Sequence, residues 1–151
     1  MTFEEIGLDS RLLKAVTELG FEKPTPIQEK TISTLQHQQT DVVALAQTGT
    51  GKTAAFGLPL LSTIDLENRN TQALILAPTR ELCVQISKDL VNYSKYMKGL
   101  KVTAVYGGAS ISDQLRQIKR GVQIVVATPG RNHSEVRCQV VASLVLTVLR
   151  A

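Results

Sequence analysis

Residues 46–53 read AQTGTGKT and sit between an apolar run, DVVALA (41–46), and a helix-forming stretch. Strand, glycine loop and helix in that order form a phosphate-binding loop. Gly49 and Gly51 let the backbone turn its N–H groups toward phosphate oxygens, and the following helix adds the positive end of its dipole. Lys52 is a point charge for β- and γ-phosphates, and Thr53 offers a hydroxyl to Mg²⁺. Ala46 stands where the generic loop has its first glycine. Holding a nucleotide is one task and hydrolysing it is another, so the remaining residues decide what the loop is for.

Working outward, the chain alternates between two periods. DVVALA (41–46), QALILAP (72–78), KVTAVYGG (101–108) and VQIVVATPG (122–130) are short apolar runs suited to buried parallel strands. Between them lie helical patterns: one after the loop to about Ile64, strained or shortened by Pro59, then RELCVQISKDLVNYSKY and ISDQLRQIKR. Two helices precede the loop. Residues 10–19 carry Leu12, Val16 and Leu19 on one face, with Ser10 as cap and Gly20 as stop. Thr25 and Pro26 open the second, which runs to about Gln39 with Ile27, Thr31 and Leu35 aligned. Strand and helix in alternation predict an α/β fold with a parallel sheet covered on both faces. The pattern breaks after Arg131. RNHSEVRCQ is polar, and VVASLVLTVLRA reads as a fifth strand or a buried helix.

Composition narrows the class. The 151 residues suit one domain, with 43% hydrophobic and 20% charged side chains. No run of about 18 apolar residues predicts a membrane span, and the acidic start MTFEEIGLDS is not a secretory signal. Cys83 and Cys138 lack metal or redox spacing, so both read as packing thiols in a reduced, cytoplasmic setting. Charge is uneven. Residues 1–50 hold four basic and seven acidic side chains, whereas residues 80–131 hold nine basic and three acidic. The second half is therefore suited to a large anion, or is simply a solvated basic surface. With 4% aromatic residues and no Trp, base stacking is a poor option for nucleic-acid contact.

APTREL (77–82) and ATPGR (127–131) each place Thr and Arg after a buried strand, where open α/β sheets bind ligands. Gly107 and Gly108 follow a third strand at the same edge. Any one of these reads as a capped loop; three at one edge suggest a groove for a phosphate backbone.

Together these stretches resemble the N-terminal RecA-like domain of DEAD-box ATP-dependent RNA helicases. The resemblance covers about residues 2–131: Phe3, the Q motif GFEKPTPIQ (20–28), motif I as AQTGTGKT, motif Ia as PTREL, the GG pair, and motif Ib as TPGR. That family writes its phosphate loop AxTGxGKT, which accounts for Ala46. The resemblance implies a RecA-like P-loop domain over 1–131 and an atypical tail over 132–151, a linker plus a strand. It implies ATP and Mg²⁺ as cofactors. Gln28 would read the adenine edge and Phe21 would pack on the base, with Ala46, Gln47, Thr48, Gly49, Thr50 and Gly51 around the phosphates. Lys52 and Thr53 would serve catalysis, Thr53 through Mg²⁺. RNA would run along Pro78, Thr79, Arg80, Gly107, Gly108, Thr128, Gly130 and Arg131, gripped by its backbone with little sequence preference.

The sequence departs from that family in one respect. It contains neither the DEAD tetrapeptide nor the SAT motif, and no second RecA-like domain. LVL at 144–146 looks like the end of the strand that should lead into DEAD, but Thr147, Val148 and Leu149 follow. The expectation is nucleotide binding without turnover, with VVASLVLTV inserting as a replacement strand or the open sheet edge driving self-association. A non-catalytic nucleotide- or RNA-binding module is the alternative; a small P-loop kinase would have no use for Gln28, PTREL and TPGR together.

Overall fold

A computed structural model describes residues 1–38 and 40–129, together with the backbone of 145–148. Gly130, Arg131 and Cys138 lie outside the described residues, as does the proposed boundary between 131 and 132. The elements in chain order are α1 (Ser10–Glu18), α2 (Pro26–His37), α3 (Lys52–Thr63), β1 (Ala73–Leu76), α4 (Arg80–Tyr93), β2 (Val102–Val105), α5 (Ile111–Lys119), β3 (Ile124–Ala127) and β4 (Val145–Val148). They divide into two compact units, Met1–Thr63 with Asn92–Met97, and Ile64–Val91 with Lys98–Ala151.

The second unit holds a four-stranded parallel sheet in the order β2-β3-β1-β4. Every residue of β3 is buried, as is all of β1 but its last. That continuous burial is why these strands read as unbroken apolar runs rather than alternating ones. Leu74, Val105, Ile118, Val122, Val125 and Ala127 form a core that joins the sheet to α5. Ser110 caps α5 by accepting the Asp113 N–H. Cys83 of α4 is fully buried, and its thiol donates to the Val126 carbonyl at 3.1 Å. Burial pushes this thiol above its ordinary value of 9.0, as expected of a packing cysteine. Val145–Val148 pairs in parallel with Ala73–Leu76 and forms an edge of the sheet.

In the first unit Leu12, Val16, Ile32, Leu58 and Leu61 are fully buried. Helix α1 is capped by Asp9 rather than by Ser10: the Asp9 carboxylate accepts the Arg11 N–H at 2.8 Å. The Arg11 guanidinium bonded to the same carboxylate holds its pKa below the ordinary value. Helix α2 buries Gln28, Thr31 and Ile32; of the expected stripe only Thr31 is buried, with Ile27 and Leu35 half-buried. A polar residue heads its inner face because the amide of Gln28 is bonded inside the protein. Helix α3 passes through Pro59 without stopping, against expectation. The missing N–H removes one helical bond, but the helix buries seven of its twelve residues, and that burial outweighs the loss.

One expectation fails. Residues 41–46 form no strand, and Val43 and Leu45 are about 90% exposed (90% and 89%). An apolar run can be buried as a strand only if a neighbour offers N–H and C=O groups to pair with. Among the described residues no strand pairs with 41–46.

Candidate nucleotide and RNA-backbone sites

The first unit assembles the loop and the segment before α2. Gly49 and Gly51 both adopt φ +80°, a region that costs glycine nothing. The Thr50 hydroxyl donates to the Gln47 carbonyl at 2.8 Å, and the Lys52 ammonium donates to the Ala46 carbonyl at 2.9 Å. The lysine thus folds back over its own loop, and reaching a phosphate requires it to share or leave that carbonyl. Ala55 N–H bonds to the Gly51 carbonyl at 3.1 Å, which starts α3 directly behind the loop. Thr53 sits in the first turn of that helix.

Gln28 is 3% exposed, and its amide joins two pieces of chain. Its Oε1 accepts the Thr25 N–H at 2.9 Å, and its Nε2 donates to the Gly51 carbonyl at 3.2 Å. The Thr25 hydroxyl donates to the Thr50 carbonyl at 2.9 Å. Two hydrogen bonds therefore tie the entry of α2 to the phosphate loop, and a third joins Thr25 to Gln28 within that entry. Gly51 must be glycine for a second reason: a Cβ there would collide with the Gln28 amide. A primary amide has two N–H donors and two acceptor lone pairs. Among the described residues Gln28 uses one of each. Thr25 reads from sequence as a helix cap; its bond to the loop is a role the sequence reading missed. The spacing Thr25-x-x-Gln28 is a capping-box signal that ties these two residues to each other, but nothing in it points to Thr50.

Phe21 lies half-buried between two rings, 6.2 Å from Phe3 and 6.0 Å edge-on to Tyr93. Phe3 is 2% exposed, so it supports Phe21 from inside. Elsewhere in this unit Glu18 accepts from Lys95 at 2.6 Å and from the Tyr96 hydroxyl, while Lys14 lies over the Tyr96 ring. The Lys95 hydrogen bond holds the Glu18 carboxyl below its ordinary pKa.

The second unit assembles the other set. Ala77 N–H bonds to the Ala127 carbonyl at 2.9 Å, and Thr128 N–H to the Val105 carbonyl at 3.0 Å. These bonds continue the strand pairing past β1, β3 and β2. They bring Pro78, Thr79, Arg80, Gly107, Gly108 and Thr128 to the carboxyl edge of the sheet, with all but Thr128 exposed. The Thr79 hydroxyl caps α4 by accepting the Leu82 N–H. The Arg80 guanidinium stands 4.8 Å from the centre of the Tyr106 ring. Tyr106 is a second residue that sequence reasoning missed. Not all the basic charge is here. Arg69, Lys119 and Arg120 line a cavity of about 510 Å³ with Thr71 and Gly121, at the amino ends of β1 and β3. Lys119 and Arg120, two of the cations over 80–131, therefore lie at the edge opposite Arg80. Among the described residues no cluster of three or more His, Cys, Asp or Glu could hold a metal, and no helix is long and apolar enough to cross a membrane.

The family model for the DEAD/DEAH box helicase matches residues 25–149, most of the chain. The protein belongs to the DEAD/DEAH box helicase family. It is 56% identical over 129 residues to the ATP-dependent RNA helicase CshA of Listeria monocytogenes, covering 85% of this chain and 24% of that relative. Against the ATP-dependent RNA helicase DeaD of Escherichia coli K12 it is 51% identical over 130 residues, 86% of this chain and 20% of the relative. The chain thus spans about a quarter or less of these relatives. Among solved structures, a DEAD box protein from the hyperthermophile Methanococcus jannaschii superposes with a TM-score of 0.86 at 38% identity, over 97% of this chain and 41% of the other. Saccharomyces cerevisiae Dbp5 bound to RNA and ADP BeF3 gives 0.84 at 30% identity, over 97% and 37%. The α/β fold expected from the strand and helix pattern, and the RecA-like form that the resemblance implies, are thereby established.

Proposed function

We propose that this chain is the ATP-binding and RNA-backbone-binding part of an ATP-dependent RNA helicase, and that by itself it binds nucleotide without turning it over. The observation that carries the reading is the bonded triangle of Thr25, Gln28 and the Thr50–Gly51 backbone. A loop for any nucleoside triphosphate needs only its glycines, Lys52 and Thr53. A buried amide locked onto that loop adds a base-reading group at fixed distance from the phosphates. Phe21 would pack on the base, the 46–51 backbone would surround the phosphates, and Lys52 would move from Ala46 to the β- and γ-oxygens. Mg²⁺ is normally held by one or two protein groups plus phosphates and water. Thr53 is one such group, so the residues present fit a partial site.

Turnover needs more. Phosphoryl transfer is catalysed mainly by positioning and charge neutralisation. Each charge-stabilising contributor is worth on the order of 3 kcal/mol, and about 1.4 kcal/mol is tenfold in rate. The 151 residues lack the DEAD carboxylates, and Thr147 and Val148 stand where the strand should lead into them. RNA would lie along Pro78, Thr79, Arg80, Gly107, Gly108 and Thr128, with Gly130 and Arg131 continuing the track. Contacts of this kind go to the sugar-phosphate backbone, so binding is weak, salt-sensitive and indifferent to sequence. A second RecA-like domain is the partner that would complete both sites. Phosphate release with and without RNA tests the proposal. The expected rate equals that of Lys52→Ala in both conditions; RNA-stimulated release abolished by Lys52→Ala would refute it.

A further inference from the structure

Arg80 opens α4 with its guanidinium carbon 4.8 Å from the Tyr106 ring centre. Its Nη1 also lies 3.3 Å from the place a Cβ on Gly108 would occupy, and Gly108 holds φ +88°. The backbone of Tyr106 is itself held. The buried Gln114 of α5 donates through Nε2 to its carbonyl at 3.1 Å, and Val105 beside it accepts from Thr128. Among the described residues no carboxylate pairs with Arg80.

We propose that Tyr106 is a positioning residue for Arg80, holding its guanidinium against the ring so that its N–H fork meets a phosphodiester at the carboxyl edge of β1 and β2. The proposal rests on reading Arg80 as an RNA-backbone contact. The physical reason is which atoms each partner uses. A carboxylate partner would occupy the in-plane N–H donors that a phosphate needs. An aromatic face attracts the cation and leaves those donors to a ligand. Gly108 removes the side chain that would otherwise crowd Nη1. Stacking also removes rotamer freedom before binding, so less is lost on contact. A lysine at position 80 would carry the charge without the planar fork.

The test measures binding of the 151-residue chain to a fluorescent single-stranded oligouridylate by anisotropy at low salt, with thermal melting as a control on folding. The proposal expects Tyr106→Phe to bind like the parent, because the ring remains. Tyr106→Leu should bind about two- to fivefold more weakly, the range of an exposed cation–π contact. Arg80→Ala should bind more weakly still, and adding Tyr106→Leu to it should change nothing further. If Tyr106→Leu binds like the parent while Arg80→Ala does not, Tyr106 does not position Arg80. If Tyr106→Leu weakens the Arg80→Ala variant by the same factor as the parent, the ring acts independently and the proposal is wrong. If Arg80→Ala itself binds like the parent, the RNA reading of Arg80 fails and the proposal falls with it. Should Tyr106→Leu not fold, NMR on the intact chain decides: the Arg80 Nε–H proton is expected upfield from ring current, and an unshifted signal overturns the proposal.

Discussion

Replacing Gln28 by alanine removes the amide that links the α2 entry to the phosphate loop. Two hydrogen bonds go, from Thr25 N–H and to the Gly51 carbonyl. Each is worth about 1 kcal/mol net. The Gly51 carbonyl still accepts from Ala55, but the half-buried Thr25 N–H loses its acceptor, which adds roughly 1 kcal/mol. Lost burial of the one methylene that alanine lacks, about 0.8 kcal/mol, is offset by a regained rotamer entropy of up to about 2 kcal/mol. The sum is a destabilisation of about 2–3 kcal/mol. With a urea slope of about 1–3 kcal/mol/M, the midpoint should fall by roughly 0.7–3 M at unchanged slope, with fluorescence and circular dichroism coinciding. Gln28→Glu distinguishes the two bonds. It keeps an acceptor for Thr25 but sets a carboxylate against the Gly51 carbonyl, so it should be no more stable than the alanine variant. A midpoint within about 0.3 M of the parent for Gln28→Ala would show that the amide does not hold the loop.

Other consequences follow from single contacts. Gly51→Ala should lose nucleotide binding and much of its stability together, since a Cβ meets both the Gln28 amide and a φ of +80°; titration of a folded Gly51→Ala chain with parent affinity would contradict this. The buried Cys83 should react with a thiol reagent only on unfolding. Because its folded pKa lies above the ordinary 9.0, its stabilising contribution is full below that value and is lost as pH rises through the folded value; a Cys83→Ser chain should lack that alkaline component in urea titrations. Exposed Val43 and Leu45 should drive concentration-dependent association. Val43→Lys with Leu45→Lys should reduce it in sedimentation, and unchanged association would place the contact elsewhere.

The sheet was legible because β1 and β3 are buried on both faces, so ALIL and IVVA stand out as apolar runs, while VTAV in β2 alternates between buried and half-buried residues. DVVALA carries the same signal and is no strand, because composition reports only that a segment suits burial. Whether a neighbour exists to pair with it is not encoded in the segment. Helix α2 misled in the opposite direction. Its inner face includes Gln28, whose burial makes sense only once its bonds to Thr25 and Gly51 are known. The motif residues were found because their backbone demands are local: glycine where φ is positive, Thr where a helix needs a cap. Thr25 on Thr50 and Tyr106 under Arg80 are contacts across 25 and 26 positions, for which one sequence holds no spacing rule.

The most direct test is a paired equilibrium titration of the intact chain with ATP and with GTP in the presence of Mg²⁺. The account predicts saturable binding that favours ATP, disappears in Lys52→Ala, and loses its preference in Gln28→Ala. Equal affinity for the two nucleotides, or an ATP preference that survives Gln28→Ala, would contradict the claim that this loop is paired with an adenine-reading amide.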